Sequence, residues 1–313
     1  MRHAYLLVLL AACGGGAPPP PTPAAPTGPA RPTVVTLRAM RVNGTVLYFR
    51  LVGDSGTPVV FVHGSLGDYR DWNAQVPAFA LTHRVLAYSR RYHPPNPQQN
   101  DDETYSPMLH ADDLAALLLA LELPPAHIIG SSYGAYTALV LAQEHPELVR
   151  SVVLEEPPIM PLLTLTQEGD ALRRAFYTTV LDPARSAFAR GDSVAAIRAF
   201  MDGSSGTPGR FDALSPAART DALAHAFEMR REMLANRDAH FPPIPCVDLG
   251  RLHTPVLLLT GERSTRLFRL ITEELGRCLT TDTTIVIPGA GHVVHAANPG
   301  YYNGIVLRYL STH

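Results

Sequence analysis

The chain has 313 residues, of which 46% are hydrophobic and 17% charged, with a formal net charge of -2. That length supports one large core, and the near-neutral balance gives no electrostatic case for nucleic acid. All 26 basic residues are arginine, a bias that goes with an alanine- and proline-rich composition and does not by itself argue for an anion site.

Met1-Arg2-His3 is a short basic region, and residues 4–12 are apolar or small. Residues 1–12 are therefore read as a signal peptide, too short to span a bilayer as a stable helix. Leu10-Ala11-Ala12-Cys13 resembles the lipobox of bacterial lipoproteins, which implies lipidation of Cys13 and an exported, membrane-anchored protein. Apart from Cys13 and Arg31, residues 13–33 are glycine, alanine, proline and threonine, and they are expected to act as a semi-extended tether. Export leaves Cys246 and Cys278 as an even pair, so a disulfide between them is possible.

The folded part opens with two apolar-rich runs, 34–39 and 42–52, punctuated by Asn43-Gly44 and expected to pair as antiparallel strands. Residues 58–62 form a short continuous apolar run suited to a strand buried on both faces, and His63-Gly64-Ser65-Leu66-Gly67 follows at once. A glycine-bearing turn at a strand's carboxyl end can point backbone N–H groups into a cleft. Residues 84–88 read as the next strand, and 108–123 as a helix with leucines at helical spacing, stopped by Pro124-Pro125. His110-Ala111-Asp112-Asp113 lies on that helix. It holds ligand-type residues, but only Asp113 neighbours His110 there, so a solvated face is expected rather than a metal site.

Ile128-Ile129-Gly130-Ser131-Ser132-Tyr133-Gly134-Ala135 is an apolar strand that runs into a glycine-flanked serine and then a helix. The pattern G-x-S-x-G places a serine on a turn so tight that its hydroxyl is thrust above the sheet edge, which makes Ser132 the candidate nucleophile. A helix to about residue 145 and a buried strand at 149–154 follow. Strand and helix alternate throughout, implying a mostly parallel sheet covered on both faces.

Between 157 and 250 no buried strand is apparent. Helical stretches at 172–180, 195–201 and 217–236 are broken by glycine and proline clusters, and this segment is read as an inserted helical cap, with 204–209 as a mobile loop within it. Phe176, Phe188, Phe200, Met201, Phe227 and Met229 either line an apolar pocket or belong to plain core. The sheet resumes at 254–260, a helix is expected around 266–278, and 283–288 is the last strand. Gly289-Ala290-Gly291-His292 follows directly, so His292 is free to reach across the sheet edge as a general base; His295, three residues on, is the competing histidine.

In this order of motifs the chain from about residue 34 to its end resembles the α/β-hydrolase superfamily, in its capped, serine-nucleophile form. The resemblance implies a core of residues 34–156 and 251–313, a cap at 157–250, Ser132 as nucleophile, His292 as base, and the backbone N–H groups of Ser65 and Tyr133 as oxyanion donors, with Leu66 as an alternative to Ser65. It departs from the family at the acid. The usual aspartate position after the seventh strand is Ser264, which carries no charge. Glu156, 24 residues after Ser132 (156 minus 132), stands where some relatives place their acid and is preferred; Glu262 and Glu155 remain alternatives.

The function implied is hydrolysis of a small to medium carboxylic ester through an acyl-enzyme. A serine excludes alkyl-enzyme chemistry of the haloalkane dehalogenase and epoxide hydrolase kind, which needs a carboxylate nucleophile. Carbon-carbon bond hydrolysis, haloperoxidase-like chemistry, and a lipid-anchored binding or sensor protein with little turnover stay open. The expected partners are a small-molecule substrate and, through the lipid, a bacterial membrane. No dinucleotide fingerprint or metal motif is present, so no cofactor or metal is expected.

Overall fold

The computed structural model describes residues 36–279 and 282–313. The expected signal peptide, Cys13 and the whole tether lie outside these residues. Among the described residues no helix is long and apolar enough to cross a membrane.

Eight strands form a single sheet: β1 (Arg38–Val42), β2 (Thr45–Val52), β3 (Pro58–Val62), β4 (Arg84–Tyr88), β5 (Ala126–Ser131), β6 (Val149–Glu155), β7 (Val256–Gly261) and β8 (Asp282–Ile287), in the order β1-β2-β4-β3-β5-β6-β7-β8. The β1–β2 and β2–β4 pairs are antiparallel and every later pair is parallel. The longer helices are α1 (Pro107–Ala120), α2 (Tyr133–Glu144), α3 (Gln167–Phe176), α4 (Asp182–Ala189), α5 (Ser193–Ser205), α6 (Pro216–Ala224), α7 (Ala226–Leu234), α8 (Arg266–Cys278) and α9 (Pro299–Leu310).

Both faces of the sheet are covered, which is why its central strands are apolar without alternation. Val60 and Val62 of β3 join the core on the side of α1 and α2, whereas Val59 and Phe61 join the core on the side of α9. On that second side Trp72 is sandwiched, its ring 4.6 Å from Phe61 and 4.1 Å from His295.

The register decides where chemistry can gather. Val62 of β3 lies opposite Gly130 of β5, Ser131 opposite Glu155 of β6, Glu155 opposite Leu259 of β7, and Gly261 opposite Ile287 of β8. Five loops therefore leave one edge of the sheet side by side, where a parallel sheet presents its ligand crevice.

The segment between β6 and β7 is helical, and its details differ from the sequence pattern. The stretch expected at 172–180 divides into α3 and a turn of π-helix, Tyr177–Leu181, that runs directly into α4. The long helix expected at 217–236 is two, α6 and α7, broken at His225. The loop expected from residue 204 begins after α5, because Ser204 and Ser205 are helical and Gly206 ends the helix at φ +65°. Phe188 and Met229 are fully buried core, Phe200, Met201 and Phe227 pack against that core, and Phe176 borders a cavity. That cavity, of about 480 Å³, opens between α3, α5 and the start of α8.

Cys246 and Cys278 form a disulfide joining a short helix, Cys246–Leu249, to the last residue of α8. The expected solvated face at residues 110–113 is corrected: His110 and Asp113 are both buried, and only Asp112 of the polar residues there is exposed. Asp113 is held by Arg91, with Nε–Oδ2 2.6 Å. A carboxylate can face the core because this guanidinium meets it with two parallel N–H donors.

Candidate active site

Ser132 follows β5 directly and caps α2, with φ +52° and ψ −120°. A non-glycine residue rarely takes that backbone, and it is maintained by the surrounding chain. The Ser132 N–H donates to the Glu155 carbonyl at 2.8 Å, and its own carbonyl accepts from Ala135 and Tyr136. The flanking glycines are required by contact. A Cβ on Gly130 would sit 2.4 Å from the Gly134 carbonyl oxygen, and one on Gly134 would sit 2.2 Å from that of Val62. Only hydrogen-sized groups let strand, turn and helix close this tightly.

His292 comes from the loop after β8. Its Nε2 lies 2.9 Å from Ser132 Oγ and its Nδ1 2.7 Å from Glu156 Oε2. The imidazole stacks on Phe268 of α8, with ring centres 3.7 Å apart, and keeps 12% of its side-chain surface exposed. It is thus shielded on one face yet open toward Ser132.

Glu156 sits one residue past β6 with φ +45°. Its buried carboxylate accepts from Thr260 Oγ1 at 2.6 Å, from the Gly261 N–H at 2.9 Å and from Ser264 Oγ at 2.6 Å, besides its contact with His292. Ser264, the residue at the position where an aspartate was expected, therefore donates a hydrogen bond to Glu156. The two other acids point elsewhere. Glu262 accepts from the Gly289 N–H at 2.7 Å and is exposed. Glu155, buried on the opposite side of the strand, meets His295 Nδ1 at 2.8 Å and accepts from the Tyr302 hydroxyl. The competing histidine thus has its own carboxylate, and burial notwithstanding, Glu155 and Asp71 hold its pKa above the ordinary value.

Gly64, Ser65 and Leu66 lie beside this arrangement. A Cβ on Gly64 would come within 3.1 Å of Ser132 Cβ. Tyr133 is the first residue of α2, so its N–H is one of the donors a helix start leaves without an intrahelical acceptor. The Ser65 N–H has no acceptor among the described residues. Leu66 differs: its N–H donates to Glu228 Oε1 at 2.8 Å, which removes it as the alternative donor.

Sequence reasoning missed the groups that hold this loop. Arg90, fully buried, donates from Nε to the His63 carbonyl (2.9 Å) and from Nη2 to the Gly64 carbonyl (3.0 Å), and its backbone N–H donates to His63 Nε2 (2.9 Å). That last bond leaves His63 Nδ1 as the protonated nitrogen, facing the Gly64 carbonyl. From α7, Glu232 accepts from Ser65 Oγ at 2.9 Å and from Tyr105 at 3.2 Å. Burial, repulsion from Glu232 and attraction to Arg90 act together on Glu228, with a net rise well above the carboxylate range. Burial and Arg90 push His63 and His110 well below the ordinary imidazole value. The only advance signal was the run Arg90-Arg91-Tyr92-His93, polar and aromatic residues directly after an apolar strand.

A family model described as the alpha/beta hydrolase fold matches residues 57–299. Among curated proteins the chain is similar to the uncharacterized hydrolase YraK of Bacillus subtilis (strain 168), 32% identical over 136 residues, 44% of this chain and 48% of that protein. The chain thus matches about half the length of that relative. Among solved structures it resembles the carboxylesterase CesB from Bacillus subtilis, with TM-score 0.67 and 18% identity over 90% of this chain and 93% of that one. It also resembles Est816, described as an N-acyl homoserine lactone degrading enzyme, with TM-score 0.68 and 21% identity over 87% and 100% of the two chains. At such identities the likeness establishes the fold.

Proposed function

This chain belongs to the alpha/beta hydrolase fold family, and from that premise we propose that it is a serine hydrolase acting on a small to medium carboxylic ester through an acyl-enzyme. The observation that carries the reading is the unbroken relay from Glu156 through His292 to Ser132, at 2.7 and 2.9 Å. In this mechanism Glu156 holds the proton of His292 on Nδ1, so Nε2 faces the serine as a base. Nε2 takes the hydroxyl proton as Oγ attacks the ester carbonyl, and the N–H groups of Ser65 and Tyr133 receive the oxyanion. Collapse expels the alcohol with the proton returned by His292, and water repeats the cycle to release the acid.

The similar proteins include a carboxylesterase and a lactone-degrading enzyme, which accord with carboxylic ester chemistry, and a meta-cleavage product hydrolase, which keeps carbon-carbon bond hydrolysis as the second reading. The binder reading rests on the missing aspartate after β7 and on the tether, and Glu156 at His292 supplies a carboxylate in place of the first. Turnover of a graded panel of p-nitrophenyl esters by the wild type, abolished in Ser132→Ala, is the expected result; equal turnover by that variant would sink the proposal. We further propose export with a lipid on Cys13, a reading that rests on the Leu10-Ala11-Ala12-Cys13 motif and accords with a disulfide, which persists in oxidising compartments.

A further inference from the structure

Beside the oxyanion loop lies a polar cluster sealed inside the protein. His93 comes from the loop after β4, His225 from the break between α6 and α7, and Glu228 from the first turn of α7; all three are buried. One donor atom from each lies within 4.8 Å of the others. His93 Nδ1 is 3.5 Å from Glu228 Oε1, and His225 Nδ1 is 3.8 Å from the same oxygen. Ligands about 2.05 Å from a tetrahedral zinc ion stand about 3.4 Å apart, so these separations are close to the edges of such a site.

Two atoms in the cluster lack any hydrogen-bond partner among the described residues: His225 Nδ1 and Glu228 Oε2, an acceptor-capable nitrogen and a carboxylate oxygen on adjoining groups. Buried polar atoms left in this state are costly.

We infer that His93, His225 and Glu228 form a binding site for a divalent transition-metal ion of the zinc class. The surrounding groups suit such a centre, since a metal-bound imidazole commonly gives its other N–H to a carboxylate or hydroxyl. Asp68 Oδ2 lies 3.7 Å from His225 Nε2, and the Tyr105 hydroxyl 3.4 Å from His93 Nε2. Glu228 keeps its hydrogen bond from the Leu66 N–H. On binding, the His93 proton moves from Nδ1, where it faces the Gly67 carbonyl 2.9 Å away, to Nε2, which then donates to the Tyr105 hydroxyl, and a water completes four-coordination. The ion would fasten α7 to the loop that holds Ser65, so its role is structural and needs no step in ester cleavage. No spacing motif announces it, because the ligands come from separate segments.

The test uses untagged full-length protein purified without chelator. Plasma mass spectrometry is expected to find close to one equivalent of zinc per chain after growth with added zinc. The metal-free protein titrated with Co²⁺ is expected to develop the intense visible absorption of a four-coordinate ion. His225→Gln and Glu228→Gln should bind Co²⁺ at least about tenfold more weakly. His145→Gln should not, because His145 is a partly exposed histidine flanked by Asp112 and Glu147 that reports background binding. If either glutamine variant fails to fold, His93→Gln supplies the same comparison. Wild-type protein with no metal above background, or variants that bind as tightly as wild type, would overturn the site. Neither readout depends on ester hydrolysis, so failure here leaves the proposed function standing, and the reverse also holds.

Discussion

Replacing Glu156 by glutamine isolates the charge of the proposed acid with little change in shape. The carboxylate accepts from four donors: Thr260 and Gly261 on Oε1, and Ser264 and His292 on Oε2. A glutamine amide cannot accept from all of them. With its NH₂ toward His292 it forces Nδ1 to accept, which moves the imidazole proton to Nε2 and blocks the base. With its NH₂ toward Gly261 it sets donor against donor. The charge itself is worth more. An imidazolium and a carboxylate with charge centres about 4 Å apart attract by roughly 4 kcal/mol at an effective dielectric of 20, which corresponds to about 10³ in rate. Stopped assays with p-nitrophenyl butyrate should give kcat lower by about 10³ with KM little changed, since the imidazolium exists only once the serine proton has moved. Adding Ser264→Asp to Glu156→Gln should recover part of the loss, because Ser264 Oγ is 2.6 Å from the carboxylate it would replace. Glu262→Gln, at an exposed residue bonded to the Gly289 N–H, should stay near wild type. A Glu156→Gln enzyme within about threefold of wild type, under 1 kcal/mol, would refute Glu156 as the acid.

The remaining expectations concern stability. Burial holds the folded pKa of His127 down to about 4, and burial with Arg90 holds His63 and His110 well below 6.5. As pH falls through about 6.5 the unfolded chain takes up protons first, so it binds more than the folded one and stability drops. His295, raised by Glu155, works the other way, its contribution complete at low pH and lost as pH rises through its folded value. Asp71, raised to about 7 by burial, and Glu228 and Asp113, also raised by burial, act with His295, whereas His83, His93 and His225 are lowered like the first three. With six lowered imidazoles against four raised groups, urea midpoints should be lower at pH 5 than at pH 7.5, and an equal or higher midpoint would contradict the burial account. Reducing the Cys246–Cys278 bond, which closes a loop 32 residues apart in sequence, should cost about 3–4 kcal/mol of unfolding free energy on the chain-entropy estimate, measured by denaturation with and without reductant.

Much of the sheet was legible because each parallel strand is a short apolar run and its chemistry lies in the next few residues. Ser132, His292 and Glu156 could each be named from strand ends, and the register between Ser131 and Glu155 explains why they converge. At the end of β6 the chain turns Glu156 toward His292 and Glu155 toward His295, as neighbouring residues on a strand face opposite sides. What stayed hidden depends on contacts between distant segments. His110 and Asp113 read as a wet helix face until Arg91 supplies the partner that lets Asp113 be buried. Nothing local in the sequence marks the break at His225, whose imidazole lies buried beside Asp68 and Glu228. Arg90 spans from the His63 loop to Tyr105, a contact no periodicity carries. The pairing of Cys246 with Cys278 likewise required knowing where α8 ends.

The most direct test of the central claim is stoichiometric labelling of the folded wild-type protein by a fluorophosphonate, followed by intact-mass measurement and peptide mapping. A serine made nucleophilic by His292 should take one adduct per chain, located on Ser132 and absent from Ser132→Ala. A folded sample that remains unmodified, or one labelled at a different residue, would contradict it.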